Sequence, residues 1–313
     1  MTVIAVTGAS GFIGRHFCRE LADGPSRIVP IVRPGTTTMR GGSIVDFDEP
    51  SHASDALRGA HAVLHLAARA HVLDEDGRPN VAAYRSANTD LTTKVASAAI
   101  AAGVQRLVFV SSAGVLGQSS PPGGFDDSSD PNPHDAYTRS KLHAEQWLME
   151  HSAGKIELVV VRPPLVYGPD ARGNFGRLLR AAAMGRPLPV ASLRAPRSII
   201  GVRNLSHFLM VCLMHPNAPG PPMLVAEPET TTLADLAEEI AHLASVPSRS
   251  FRVPAALLGA GLRLLGRRAD AARLVAPFAV RVARAQTALG WQPVFERSSE
   301  LEWTVRTFLQ AAR

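Results

Sequence analysis

Residues 6–16 read VTGASGFIGRH and place Gly8, Gly11 and Gly14 at G-x-x-G-x-x-G spacing, directly after the apolar run TVIAVT (2–7). Glycines here allow a tight turn and close backbone approach, and the helix that follows presents its N-terminus to whatever lies over the turn. A glycine triplet between a strand and a helix is a variant of the dinucleotide fingerprint, in which a pyrophosphate rests on the helix N-terminus. On that reading the chain opens with a nucleotide-binding βα unit, with Gly8, Gly11, Phe12, Ile13 and Gly14 against the cofactor.

The rest of the first half repeats the rhythm. RIVPIV (27–32), SIVDF (43–47), AVLHLA (62–67), RLVFVS (106–111) and ELVVVR (157–162) read as buried strands. Their near-continuous hydrophobicity suits a parallel sheet covered on both faces. Amphipathic stretches from Val81 to Ala102 and from Asp135 to His151 supply crossover helices. This alternation predicts an α/β fold with a doubly wound parallel sheet and right-handed crossovers. After Tyr167 the pattern loosens into a loop, a helix (Phe175 to Gly185), an extended Pro-containing segment and a strand (198–202). A helix (204–215), the short strand MLVAE and a threonine-capped helix, TTLADLAEEIAHLA, follow.

Composition narrows the classes. A chain of 313 residues with 46% hydrophobic and 19% charged residues is that of an ordinary globular protein. Cys18 and Cys212 lie in apolar segments without CxxC spacing, and the histidines show no HExxH, so neither disulfide nor metal site is expected. The N-terminus has no basic region before an apolar run, and no stretch reaches the ~20 apolar residues of a membrane span. The nearest, VPAALLGAGLRLLG (253–266), is short and carries Arg263, so a cytoplasmic protein is expected. The net charge of +6 raises the question of nucleic acid. Scattered arginines with few aromatics answer it in favour of anionic small molecules.

Two further spots carry chemistry. The second strand ends in IVRPG, where NAD sites commonly hold a carboxylate for the ribose 2′-hydroxyl; Arg33 suits a 2′-phosphate and tips the reading to NADP over NAD. Asp46 and Phe47, after the third strand, are placed to meet the adenine. In YTRSK, Tyr137 and Lys141 stand at i and i+4 on one helix face. An ammonium beside a phenol favours the phenolate and could make a group that titrates near ~10 usable at neutral pH. The spacing alone fits an ordinary surface pair equally well.

Jointly, TGxxGFIG, HLAA (65–68), SSAGVLG (111–117) and YTRSK (137–141) resemble, in order and spacing, the extended short-chain dehydrogenase/reductases. The resemblance is to the nucleotide-sugar epimerase/dehydratase branch and spans essentially the full length. It implies a Rossmann domain over 1–166 and a smaller substrate-binding α/β region over 167–313, with 197–215 returning to the first domain. It implies that Tyr137 is the catalytic acid/base, that Lys141 holds its charge and the nicotinamide ribose, and that Ser112 bonds the sugar oxygen exchanging the proton. Leu66, Ala67, Ala68, Asn88 and Pro163 would join the cofactor contacts. Asn174 and Arg197 would meet the nucleotide diphosphate, with Arg273 as the second arginine, since a guanidinium fork pairs well with phosphate oxygens.

Departures from the family pattern narrow the chemistry. Sugar dehydratases carry Asp-Glu where this chain has Ala113 and Gly114, SSAGV has no Cys or Lys base, and Leu165 replaces a substrate-binding Asn in RPPLVYGP. RPLPVASLRAPRSIIGVRNL with LMHP looks most like enzymes of O-antigen sugar pathways. The expected activity is therefore an NAD(P)-dependent epimerase moving hydride at C4 of a UDP-linked hexose or N-acetylhexosamine. An NADPH-dependent reductase of a UDP-4-keto-6-deoxyhexosamine is the alternative. A non-catalytic NAD(P)-binding regulator is a third reading, against which stands the presence together of Ser112, Tyr137 and Lys141. A homodimer is expected as well, because Leu142, Trp147 and Leu148 offer more apolar area than one sheet-facing side needs, and family members pair these helices across a two-fold axis.

Overall fold

A computed structural model describes residues 1–36, 41–70, 80–264 and 274–311. Its strands are β1 (Val3–Thr7), β2 (Arg27–Val32), β3 (Ser43–Ile44), β4 (Ala62–His65), β5 (Arg106–Val110), β6 (Glu157–Arg162), β7 (Leu165–Tyr167), β8 (Ile199–Gly201) and β9 (Met223–Leu224). Seven form one sheet in the order β3-β2-β1-β4-β5-β6-β9, every neighbouring pair parallel. β7 and β8 pair separately. The strand order reverses between β1 and β4, and in doubly wound sheets the crevice at the carboxyl ends of such strands is where ligands bind. The third predicted strand is shorter than expected: only Ser43 and Ile44 pair with β2, and Asp46 and Phe47 turn away as loop.

The helices are α1 (Phe12–Glu20), α2 (Pro50–Leu57), α3 (Val81–Tyr84), α4 (Leu91–Ala101), α5 (Ala136–Ser152), α6 (Gly173–Ala183), α7 (Val202–Met214), α8 (Leu233–Leu243), α9 (Ala255–Leu264), α10 (Ala283–Leu289) and α11 (Arg297–Ala311). They sandwich the sheet because strand side chains alternate between faces. Ile4, Val6, Val108 and Val110 point to one side and pack with Phe17 of α1 and Phe208 and Leu209 of α7. Ala5, Val63, Leu107 and Phe109 point to the other and pack with Leu57 of α2, Val95 and Ala99 of α4 and Leu148 of α5. A third core gathers Tyr167, Leu179, Leu236 and Leu301 from β7, α6, α8 and α11. Between the two, α7 returns the chain to the main sheet and β9 extends that sheet beyond β6.

Two features differ from expectation. The stretch from Val81 is no single α-helix: Arg85–Asp90 is π-helical, between α3 and α4. The apolar surplus on α5 is consumed within the chain. Leu142 joins Leu116 and Phe125 in a small core, Leu148 is fully buried, and Trp147 packs on the second core. Arg139, His143, Gln146, Met149 and Glu150 are what α5 exposes. The side chains that pointed to a homodimer thus have an intramolecular use.

Candidate active site

The β1–α1 turn is built so that backbone meets backbone. Gly8 has φ +70°, and a Cβ there would lie 2.5 Å from the Ala67 nitrogen; one on Gly14 would lie 2.3 Å from the Gly8 carbonyl oxygen. The turn therefore nests on the Leu66–Ala67 segment leaving β4. Gly11 caps α1 without a side-chain bond, so the first-turn N–H groups remain available to an anion.

Two cavities flank the segment after β4. One, of about 270 Å³, is lined by Gly8, Gly11, Phe12, Ile13, Gly14, Leu66, Ala68, Ser111, Ser112, Tyr137, Lys141 and Pro163, along with Ala70, Val110, Pro164 and Val166. The other, of about 350 Å³, is lined by Arg33, Asp46, Phe47, Arg69 and Lys94 among others. Together they have the form a dinucleotide requires: a glycine cradle that any Cβ would fill, an elongated pair of hollows, and cations at the far end. Arg69 and Lys94, the latter ion-paired to Asp48, come from elements distant in sequence, and no local motif announced them.

α5 starts in a capping box: Asp135 accepts from the Thr138 N–H at 2.7 Å, and the Thr138 hydroxyl accepts from the Asp135 N–H at 3.2 Å. This fixes the turn bearing Tyr137. Burial pushes the Tyr137 phenol up to about 12, with Asp135 and Tyr84 adding to it. Lys141 is 1% exposed, its Nζ 4.2 Å from the centroid of the Phe109 ring, and burial lowers it to about 7 against the opposing pull of Glu145. Both shifts run opposite to the mutual activation that the spacing implied, because withdrawal from water disfavours each charged form. Ser112 caps the short 3₁₀ turn Ala113–Leu116, accepting from the Gly114 N–H at 3.1 Å. A Cβ on Gly114 would lie 2.9 Å from the Thr138 methyl, so a larger residue at this position would have to displace that side chain of α5.

Asn88 is fully buried and lines neither cavity. Its amide pairs with the Arg69 backbone like a peptide, accepting from N–H at 2.8 Å and donating to the carbonyl at 3.0 Å. It also donates to Ser140 Oγ at 2.9 Å, and Ser140 donates to the Tyr137 carbonyl at 2.7 Å. Asn88 thus positions both the cavity wall and the tyrosine's helical turn. Behind it, the Thr92 hydroxyl donates to the Asn88 carbonyl, leaving its lone pairs for His65 Nε2 at 2.9 Å, while Thr7 lies 2.6 Å from His65 Nδ1. Burial and the Lys141 charge lower His65 to about 3, so the ring is neutral, with Nε2 donating and Nδ1 accepting.

The described residues expected to meet the nucleotide diphosphate stand outside the two cavities. Asn174 is exposed at the start of α6 and accepts from Arg177. Arg197 donates to the Leu274 and Ala276 carbonyls at 3.1 and 3.0 Å, tying down the segment that precedes α10. Neither lines the two cavities, nor does Leu165. Arg273 lies outside the described residues.

A doubly wound sheet with a glycine cradle at its switch point, and a serine, tyrosine and lysine in the same hollow, defines a dinucleotide-dependent enzyme of the short-chain dehydrogenase/reductase type. The chain belongs to the NAD dependent epimerase/dehydratase family, which it matches over residues 4–226. It is 30% identical to a UDP-glucose 4-epimerase of Vibrio cholerae, in an alignment covering 98% of this chain and 96% of the relative. The UDP-glucose 4-epimerase structure from Thermotoga maritima superposes with a TM-score of 0.80 at 18% identity, covering 100% of both chains. The UDP-N-acetylglucosamine 4-epimerase from Bacillus cereus gives 0.80 at 16%, covering 98% of this chain and 99% of the other. At such identities these two speak for the fold.

Proposed function

We propose that the protein is a nucleotide-sugar 4-epimerase, acting at C4 of a UDP-linked hexose or N-acetylhexosamine in surface-polysaccharide (O-antigen) sugar synthesis. The observation that carries this reading is that Ser112, Tyr137 and Lys141 line the cavity that also contains the glycine cradle. A sugar hydroxyl placed there meets a proton donor–acceptor and a hydroxyl partner, in a hollow whose other wall takes a dinucleotide. When bound, the nicotinamide supplies the hydride acceptor and donor. Tyr137 takes the O4 proton and returns it after the sugar has presented its other face; Ser112 aligns O4 by a hydrogen bond; Lys141 supplies positive charge beside the phenol. Residues 1–166 serve the cofactor and 167–313 the substrate.

The cationic end of the larger cavity favours a second reading. Arg33 and Arg69, in a lining that also holds Asp46 and the Lys94–Asp48 pair, suit a cofactor with an added phosphate, and NADP is more usual for a 4-keto sugar reductase than for an epimerase. One experiment separates the two. Purified protein is incubated with UDP-glucose or UDP-N-acetylglucosamine and followed by NMR for the C4 epimer, and separately with a UDP-4-keto-6-deoxyhexosamine and NADPH at 340 nm. Epimer formation without net cofactor turnover supports the first reading; stoichiometric NADPH consumption supports the second.

A further inference from the structure

The C-terminal region carries a surface that the hydride chemistry does not use. Met184 and Phe251 are each 47% exposed and Leu257 is 64% exposed. The segments that carry Met184 and Phe251 are paired: the Phe251 N–H donates to the Leu188 carbonyl at 2.9 Å and the Leu188 N–H to the Arg249 carbonyl at 3.2 Å. That pairing lays the 249–251 strip alongside the segment following α6, and the strip runs on into α9. Leu258 of α9 packs inward on the third core, which turns Leu257 outward. Arg186, Arg249 and Arg252 rim this apolar strip, all exposed. Neither 184–191 nor 244–260 contains an acid. The nearby acids of α8 have partners of their own: Asp235 and Glu238 with Arg194, Glu239 with Arg297. Three exposed arginines, with no acid in either segment, thus accompany the exposed apolar side chains.

We propose that this face docks on an anionic phospholipid surface, with Met184, Phe251 and Leu257 entering the headgroup layer and Arg186, Arg249 and Arg252 meeting lipid phosphates. An apolar strip rimmed by arginine and free of acids has the chemistry of an interfacial binding element. Among the described residues no helix is long and apolar enough to cross a membrane, so the contact is peripheral. A nucleic acid would match the arginines and leave the apolar side chains without a purpose. The proposal does not depend on which sugar the active site converts.

The test is co-sedimentation of the full chain with phosphatidylcholine vesicles, with and without about one third phosphatidylglycerol. The expected result is binding to the anionic vesicles alone, weakening as salt is raised. One basic residue near an anionic surface is worth roughly fivefold in affinity, so Arg249→Glu with Arg252→Glu should weaken binding by more than about tenfold. Phe251→Ser with Leu257→Ser should weaken it at unchanged charge. Unchanged melting temperatures in these variants show that the fold is retained. Absence of binding to anionic vesicles at low salt overturns the proposal. So does binding that the serine variant leaves intact and that heparin reproduces, which would be attraction to any polyanion.

Discussion

Lys141 has the ammonium that the chemistry wants in a place that water has left. Its titration near 7 sets a sign. Between about pH 7 and the ordinary lysine range the unfolded chain binds a proton that the folded chain has released, so stability rises with pH across that window. Below it, the full cost of burying the charge is present. Lys141→Met should therefore be more stable than the parent at pH 7 and below, with the advantage shrinking towards pH 10, and should lose turnover. Urea midpoints of both proteins across this range check the sign. Tyr137→Phe keeps the ring and removes the transferable proton, so turnover should fall by roughly 10²–10⁴ with dinucleotide affinity retained. Arg33→Asp should move cofactor preference from NADP towards NAD, read as the ratio of the two dissociation constants, because a carboxylate repels a 2′-phosphate and accepts from a 2′-hydroxyl.

The element that most affects the site is the π-helical turn Arg85–Asp90, since it carries Asn88 inward to the Arg69 backbone and to Ser140. Asn88→Leu removes the partner of two part-buried Arg69 backbone groups, for which about 1–3 kcal/mol each, the cost of a fully buried group, is an upper bound. A lowered urea midpoint and reduced kcat are expected, the latter because Ser140 loses its tether to the turn bearing Tyr137. What was legible in the sequence follows from where information is local. The strands could be read because both faces of the parallel sheet are buried, with Leu107 and Phe109 on one side and Val108 and Val110 on the other, which leaves unbroken apolar runs. The glycine turn and the Tyr137–Lys141 pair could be read because each fits within a few residues. A π turn could not, since it moves one hydrogen bond without altering the apolar pattern of Val81 to Ala102. Arg69 and Lys94 could not either, because they meet only when separate elements converge. Asn174 and Arg197 rest on resemblance alone, since no periodicity or local spacing marks a diphosphate contact; in the structure Arg197 donates to the Leu274 and Ala276 carbonyls.

On the scale of the whole molecule, the two regions are joined through buried charge. Glu300 of α11 is fully buried, accepts from Arg203 Nε at 2.7 Å, and Arg203 lies between the Phe295 and Trp303 rings at 4.0 and 4.2 Å. Glu227 accepts from the Tyr167 hydroxyl at 3.1 Å, from the Gly201 N–H at 2.9 Å and from Asn204 at 3.0 Å. Glu300→Ala would leave a guanidinium with 15% of its side chain exposed and no carboxylate, a loss of about 3–5 kcal/mol visible as a lower midpoint in denaturant. The route of the chain carries a further consequence. It leaves the main sheet after β6, pairs β7 with β8, comes back through α7 and β9, and departs again for α8 and α11. The region after β6 is therefore woven through the main sheet and is no detachable cassette. A chimaera with a relative spliced at a single junction would divide β9 or α7 from the partners they evolved against. New substrate ranges in this architecture are then reached through point changes and loop exchange, with recombination of whole modules closed off by the weave.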